Sequence, residues 1–164
     1  MASDYITTVS PTYAKETLTP EAGSGMEGVL RGRAKRYVGI LNGIDAKTWD
    51  PAVDSHLPAR YDAKNLAGKA ACKRALLARF DFPQGDDALA RPIVGMVSRL
   101  VSQKGLDLIL AAAEALVEIE ATWVFVGTGE RRYERSLEAL AARYPSRVAV
   151  HVGFDEALAH LVEA

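Results

Sequence analysis

The sequence predicts an α/β fold in which a parallel sheet is covered by helices on both faces. Three apolar runs without polar alternation, at 92–98, 122–126 and 147–152, indicate buried strands. Each run is followed by a stretch whose apolar residues recur at helical spacing, and this alternation is typical of doubly wound domains. Such sheets usually have about five or six strands, so the chain corresponds to half of one.

The N-terminal part predicts smaller elements. After a short extended piece, Ser10 and Pro11 form a helix start signal, and the helix ends after about two turns at Thr19-Pro20. The glycine-rich stretch 22–36 predicts a loop, and 37–41 predicts a short strand. An irregular stretch then reaches about residue 61.

The remaining elements follow from periodicity. A helix is predicted over 62–80, with Cys72 as a small buried hydrophobe inside it, and a loop over 82–87. The strands are followed by helices from 104 to about 119, after Gly129, and from the stretch 153–156 onward, the last of them including Phe154. Phe154 shares the apolar stripe of the last helix with Leu158, so core packing is one interpretation of this residue.

Composition excludes several classes of function. With 20 basic and 21 acidic residues, the 164-residue chain has no basic field for nucleic acid. Its single cysteine excludes an internal disulfide. No apolar run is long enough to span a bilayer and no signal peptide is visible, so we expect a soluble, cytoplasmic protein that binds no membrane.

Two cations at the end of the first sheet strand are the strongest chemical signal. Arg99 directly follows the strand, and Lys104 is expected in the first turn of the next helix. A guanidinium and an ammonium beside free N–H groups of a helix start could bind a diphosphate and stabilise its departure from a sugar. Two solvated surface cations are an equally good interpretation of this spacing.

The other strand ends carry weaker signals. Gly127 and Gly129 could let a nucleotide approach the backbone, although glycines that permit a tight turn are the simpler explanation. A dinucleotide fingerprint would need a third glycine at the position of Arg132. Phe154 could stack on a base. The three histidines lack metal-ligand spacing, and His160 is expected to be partly exposed.

Several longer motifs together resemble bacterial glycogen synthase and plant starch synthase. They are Ser-Pro-Thr-Tyr-Ala-Lys-Glu (10–16), Gly-Met-Glu-Gly (25–28), Leu-Asn-Gly-Ile-Asp (41–45) with Trp-Asp-Pro (49–51), Ser-Arg-Leu (98–100) with Gln-Lys-Gly-Leu-Asp (103–107), Gly-Thr-Gly (127–129) and Gly-Phe-Asp-Glu-Ala (153–157). The Ser-Arg-Leu and Lys-Gly elements are shared by many nucleotide-sugar glycosyltransferases, whereas the first and third motifs are more selective.

The resemblance implies the GT-B fold, in which two Rossmann-like domains face a cleft. It implies transfer of glucose from ADP-glucose to the non-reducing end of an α-1,4-glucan, with retention of configuration and without a metal or other cofactor. Arg99 and Lys104 would bind the donor diphosphate, and Asn42 would contact its sugar-phosphate region. Gly127, Thr128 and Gly129 would approach the nucleotide, and Phe154 would stand where family members carry an aromatic residue, often Tyr, beside adenine.

The resemblance also implies a division of the chain. Residues 1–36 would be a short remnant of the N-terminal GT-B domain, 37–62 the interdomain crossover, and 63–164 the first part of the C-terminal nucleotide-sugar-binding domain. The sequence lacks the family's Lys-x-Gly-Gly-Leu and Glu-Pro-x-Gly elements, so we expect an internal fragment with little activity of its own. A plant or algal parent would place it in plastids, and its oligomeric state is open.

Three alternatives share part of this pattern. Another GT-B transferase with a UDP-sugar donor would use the same two cations, and donor competition would decide. A nicotinamide-binding half-domain is disfavoured by Arg132. A non-catalytic nucleotide-binding remnant is the third.

Overall fold

The computed structural model describes residues 3–164 and divides the chain into two compact units, Met1–Asp45 and Ala46–Ala164. The division falls within the stretch 37–62 for which the sequence predicts a crossover between domains. No helix among the described residues is both long enough and apolar enough to cross a membrane.

The first unit is built on two parallel strands, β1 (Ile6–Thr8) and β2 (Tyr37–Gly39), with Ile6 level with Tyr37. Between them lie helices α1 (Pro11–Glu16), α2 (Pro20–Gly23) and α3 (Glu27–Gly32), and a 3₁₀ turn at Ala34–Arg36. The prediction of a loop over 22–36 is therefore wrong. Gly23 and Gly32 end short helices and Gly28 lies within α3, where glycine is tolerated at a modest cost, whereas Gly25 forms the turn between α2 and α3 with a φ of +82°.

The start of α1 is confirmed. The Ser10 hydroxyl accepts hydrogen bonds from the backbone N–H groups of Thr12 (3.1 Å) and Tyr13 (3.3 Å), and Pro11 occupies the first helical position. Thr19-Pro20 has the same arrangement as Ser10-Pro11, in which a residue with a hydroxyl group directly precedes a proline at the first helical position. Thr19-Pro20 therefore opens α2, and the prediction that it ends the first helix is wrong, because α1 already ends at Glu16.

The second unit contains the predicted parallel sheet. Strands β3 (Ile93–Val97), β4 (Thr122–Gly127) and β5 (Val148–Val152) pair side by side in chain order, with every pairing parallel. The helices of this unit are α4 (Ala67–Arg79), α5 (Asp86–Ala90), α6 (Leu106–Ala111), α7 (Ala113–Glu118), α8 (Arg131–Arg143) and α9 (Glu156–Glu163).

Helices cover both faces of the sheet, which explains why its strands lack polar alternation. On one face Val124 and Val126 of β4 pack in a core with residues of α4 and α9, including Leu77 and Leu158. On the other face Phe125 packs with residues of α6, α7 and α8, including Leu137. Alternate residues of one strand thus enter two separate cores, and each must be apolar.

Three boundaries differ from the prediction. The helix expected from 62 begins at Ala67, because an Asx-type turn at Asp62 and a short stretch after it come first. The loop expected over 82–87 already contains the start of α5. The helix expected over 104–119 is divided into α6 and α7 at Ala112. Cys72 is buried in α4, as predicted.

A buried pair anchors the irregular stretch 46–61 to α9. The Nδ1 atom of His160 lies 2.6 Å from Oδ2 of Asp54, and the side chains are 0% and 6% exposed. The other Asp54 oxygen accepts the backbone N–H of His56 at 2.8 Å. The indole of Trp49 stacks on the imidazole with ring centroids 3.8 Å apart. The expectation that His160 is partly exposed is therefore wrong.

Sequence could not reveal this pair because its members are far apart in the chain. His160 is buried in α9, and the pattern of apolar residues along this helix gives no sign that a polar side chain is enclosed. Its Nε2 atom is buried and has no hydrogen-bond partner among residues 3–164. This arrangement favours the tautomer in which Nδ1–H donates to the carboxylate, since an unpartnered N–H would cost more than an unpartnered lone pair.

The environment of Asp54 favours its charged form. Burial raises the pKa of this carboxyl, but the hydrogen bonds from the His56 N–H and from His160, together with the charges of both imidazoles, outweigh burial and lower the pKa below its ordinary value of 3.8. Folding therefore stabilises the ionised carboxylate.

Replacing His160 with Ala is expected to destabilise the chain by about 3 kcal/mol, because it leaves the Asp54 carboxylate buried without its partner. Urea denaturation at pH 7 measures the loss. His56→Ala is the matched control, since it keeps the backbone N–H that binds Asp54, and it should cost about 1 kcal/mol or less. Equal losses in the two variants would contradict the role given to His160.

Acid should weaken the folded state through Asp54. A carboxyl whose pKa is lower in the folded than in the unfolded state contributes stability above its ordinary pKa, and this contribution is lost as pH falls through the lowered value. Between pH 6 and pH 3 the Asp54→Asn variant should therefore lose less unfolding free energy than the unmodified chain. Glu120→Gln, at an exposed position, should follow the unmodified chain. Identical profiles for all three proteins would refute this account.

Candidate nucleotide site at the strand ends

The carboxyl ends of the three sheet strands meet around one cavity in the second unit. The cavity has a volume of about 210 Å³. Its lining comes from the residues that end each strand and from the start of α9: Val97, Ser98, Arg99, Val126, Gly127, Thr128, Gly153, Phe154, Asp155 and Ala159. Of the residues predicted to form the site, Arg99, Gly127, Thr128 and Phe154 are therefore brought together.

The chain that carries Arg99 continues in register with β4 beyond the end of β3. The Leu100 N–H donates to the Thr128 carbonyl at 3.0 Å, and the Glu130 N–H donates to the Leu100 carbonyl at 2.9 Å. Leu100 pairs with Gly129 in the same register that joins Val97 to Val126, and its side chain is fully buried. This pairing sets Arg99 level with Thr128.

Gly127 and Gly129 make that close pairing possible. A Cβ atom on Gly127 would lie 1.8 Å from the Ser98 carbonyl oxygen, and one on Gly129 would lie 2.2 Å from the Leu100 oxygen. Gly127 also has a φ of +150°, which side chains rarely adopt. The contacts within the protein thus require both glycines, as the tight-turn interpretation predicts. Their approach to a nucleotide stays a prediction.

Arg99 and Lys104 have different surroundings. Arg99 is exposed and forms part of the cavity wall, whereas Lys104 is exposed and is not among the residues that line the cavity. Lys104 ends a 3₁₀ turn, Ser102–Lys104, and Gly105 with a φ of +76° separates it from α6. The prediction that Lys104 lies in the first turn of the helix is therefore wrong. The left-handed conformation of Gly105 ends the 3₁₀ turn before α6 begins.

Phe154 is not part of the core. Its side chain is 89% exposed at the cavity, whereas Leu158 is 3% exposed and packs in the core with α4. The interpretation of Phe154 as a core residue is therefore wrong. α9 begins only after Asp155, whose carboxylate accepts the Leu158 N–H at 2.9 Å, so Phe154 precedes the helix and its apolar stripe. An exposed aromatic ring is thus presented beside an apolar cavity.

Glu134 is a residue of this region that sequence analysis missed. Its Oε1 atom accepts the Gly129 N–H at 2.8 Å and the Thr128 hydroxyl at 3.0 Å. These two hydrogen bonds, in that order, lower the pKa of Glu134. A glutamate in the first turn of a helix that follows a glycine-rich turn is the signal that could have indicated it.

Asn42 lies in the first unit, in an exposed irregular stretch after β2. Among residues 3–164 no group of three or more histidine, cysteine, aspartate or glutamate side chains could hold a metal ion.

The chain resembles known enzymes over nearly its whole length. Residues 1–32 match the family model described as the starch synthase catalytic domain. The chain is 54% identical over 162 residues to a glycogen synthase of Myxococcus xanthus, covering 99% of this chain and 33% of that protein. It is 50% identical over 162 residues to a glycogen synthase of Anaeromyxobacter dehalogenans, covering 99% and 34%.

A solved structure shows the same fold. The catalytic domain of starch synthase IV from Arabidopsis thaliana, bound to ADP and acarbose, is 37% identical with a TM-score of 0.86, covering 98% of this chain and 33% of that one. This chain spans about one third of the length of the curated relatives it matches. The predicted resemblance is therefore confirmed: in sequence, the chain is similar to a segment of the glycogen and starch synthases, and its α/β fold is the one expected for a GT-B domain.

Proposed function

We propose that this chain is the donor-binding part of a retaining glucosyltransferase that moves glucose from ADP-glucose to the non-reducing end of an α-1,4-glucan. The observation that carries the proposal is the convergence of Arg99, the Gly127–Thr128 turn and the exposed Phe154 ring on one cavity. Support also comes from the ADP and acarbose bound to the related starch synthase IV.

The apolar part of the cavity suits a nucleobase. Val97, Val126 and Ala159 contribute apolar surface, and Phe154 offers an exposed ring face on which a base can stack. Phenylalanine provides this stacking without a hydroxyl group. We therefore assign the cavity to the adenine of the donor.

The cations suit the diphosphate. The Arg99 guanidinium presents a planar set of N–H donors that matches phosphate oxygens, and the Lys104 ammonium adds a point charge. As the bond between the glucose anomeric carbon and the diphosphate oxygen breaks, negative charge grows on that oxygen. Fixed cations stabilise the charge more in the transition state than in the bound substrate.

A UDP-sugar donor is the main alternative, since the same cations would bind either diphosphate. Competition decides between them. A chimera in which this chain replaces the matching third of the Myxococcus xanthus glycogen synthase should use ADP-glucose far better than UDP-glucose. A preference for UDP-glucose would show that the donor is a UDP-sugar and would overturn the assignment of ADP-glucose. The chain alone, at one third of its relatives' length, is expected to bind ADP and to transfer little or no glucose.

In that chimera, replacing Arg99 or Lys104 with Ala should lower kcat for glucose transfer by about 100-fold or more, because stabilisation of the leaving diphosphate is lost. Incorporation of glucose from ADP-glucose into glycogen measures kcat and KM. Arg135→Ala and Lys64→Ala remove cations from exposed positions outside the cavity and should leave both values within about twofold. A near-normal kcat for Arg99→Ala would overturn the role of that residue, and the same result for Lys104→Ala would restrict the site to one cation.

A further inference from the structure

Two acidic side chains lie where a phosphate-binding turn would be expected to offer free N–H groups. Glu134 accepts the Gly129 N–H and the Thr128 hydroxyl, and Glu130 Oε1 lies 3.4 Å from the Ser102 N–H. In many nucleotide-binding folds the N–H groups at the start of the helix bind phosphate directly. Here a carboxylate already occupies the Gly129 donor.

The turn that Glu134 fixes is the same turn against which the Arg99 segment pairs. The Thr128 hydroxyl donates to Glu134, and the Thr128 carbonyl accepts the Leu100 N–H. Gly129 lies opposite Leu100 in the ladder. The amide nitrogen of Leu100 is bonded directly to the carbonyl carbon of Arg99. The position of the guanidinium along the cavity wall therefore depends on the conformation of the turn.

Gly127 and Gly129 are the reason why the turn needs the hydrogen bonds to Glu134. Gly127 and Gly129 are required by the close approach of Ser98 and Leu100, but glycine also gives the turn more conformational freedom than other residues would. The two hydrogen bonds to one charged oxygen restrict that freedom. Charge-assisted hydrogen bonds are stronger than those between neutral groups.

From these contacts we propose that Glu134 is a positioning residue: its carboxylate stands where a phosphate would bind at the start of α8, and it holds the Thr128–Gly129 turn so that the paired Arg99 segment presents its guanidinium to the donor diphosphate. This inference rests on the proposed function. It also means that the phosphates of the donor bind on the Arg99 side of the turn rather than on the Gly129 N–H.

The test compares Glu134→Ala, Glu134→Gln and Glu138→Ala in the 164-residue chain. Glu138 is exposed one turn further along α8 and provides the matched loss of charge. Calorimetric titration with ADP should show about tenfold weaker binding for Glu134→Ala, because the turn loses its acceptor. Glu134→Gln keeps an oxygen acceptor and should bind within about threefold of the unmodified chain, and Glu138→Ala should bind unchanged.

Unchanged ADP affinity in Glu134→Ala would overturn the proposal. Tighter binding in both Glu134 variants would also overturn it, since the carboxylate would then act only by repelling phosphate. Amide hydrogen exchange without nucleotide separates this proposal from the proposed function. Glu134→Ala should speed exchange at Gly129 and Leu100 by about tenfold, and Glu134→Gln should restore slow exchange.

If the unmodified chain binds no ADP but the exchange results hold, the donor assignment fails and the control of the turn by Glu134 stands. If ADP binds and exchange at Leu100 is the same in all variants, the donor assignment stands and the positioning role fails.

Discussion

The backbone pairing of Ser98–Leu100 with the turn after β4 is the interaction on which the candidate site depends. It carries the β3–β4 register past the end of the regular strand and brings Arg99 to the cavity wall. The pairing is possible only because residues 127 and 129 have no side chains, since a Cβ at either position would overlap a carbonyl oxygen of the facing segment. The close backbone pairing thus explains both why positions 127 and 129 are glycines and why Arg99 lies at the cavity wall.

The second constraint acts at the other end of the site. Phe154 and Asp155 precede α9, and α9 is tied to the stretch 46–61 through His160, Asp54 and Trp49. The buried pair therefore helps to fix the helix whose start presents the exposed ring to the cavity. Breaking such a pair is costly, because a charge remains in a place without water. The interaction that stabilises the folded chain thus also positions the aromatic ring of the proposed base site.

Sequence predicted the parts of the fold that periodicity controls. The three strands β3, β4 and β5, the two-sided burial of the sheet and the Ser10 helix start all follow from local patterns and are confirmed. The helices within 22–36 were missed because they are too short to show a period, and their glycines resemble those of a loop. Lys104 lies outside the helix because Gly105, with a φ of +76°, separates the two elements. Residue spacing does not reveal this backbone conformation.

The site was predicted less completely than the fold. Arg99 and Phe154 each come two residues after a strand ends, so their convergence follows from the parallel topology. The pair of Asp54 with His160 depends on a contact between residues 106 positions apart, which no local pattern encodes. Glu134, by contrast, has a local signal, a glutamate in the first helical turn after a glycine-rich turn, that the sequence analysis did not use. The resemblance to glycogen and starch synthases came from motifs read together, and the similarity in sequence and fold confirms it.

We propose above that the Arg99 segment binds the diphosphate of an adenine nucleotide. A comparison of ADP and adenosine binding to the 164-residue chain tests this directly. Calorimetric titration of the unmodified chain and of Arg99→Ala gives four affinities. Arg99→Ala should weaken ADP binding by about tenfold or more and leave adenosine binding unchanged, because only ADP carries the group that the guanidinium contacts. An equal change for both ligands, or none for either, would contradict this proposal.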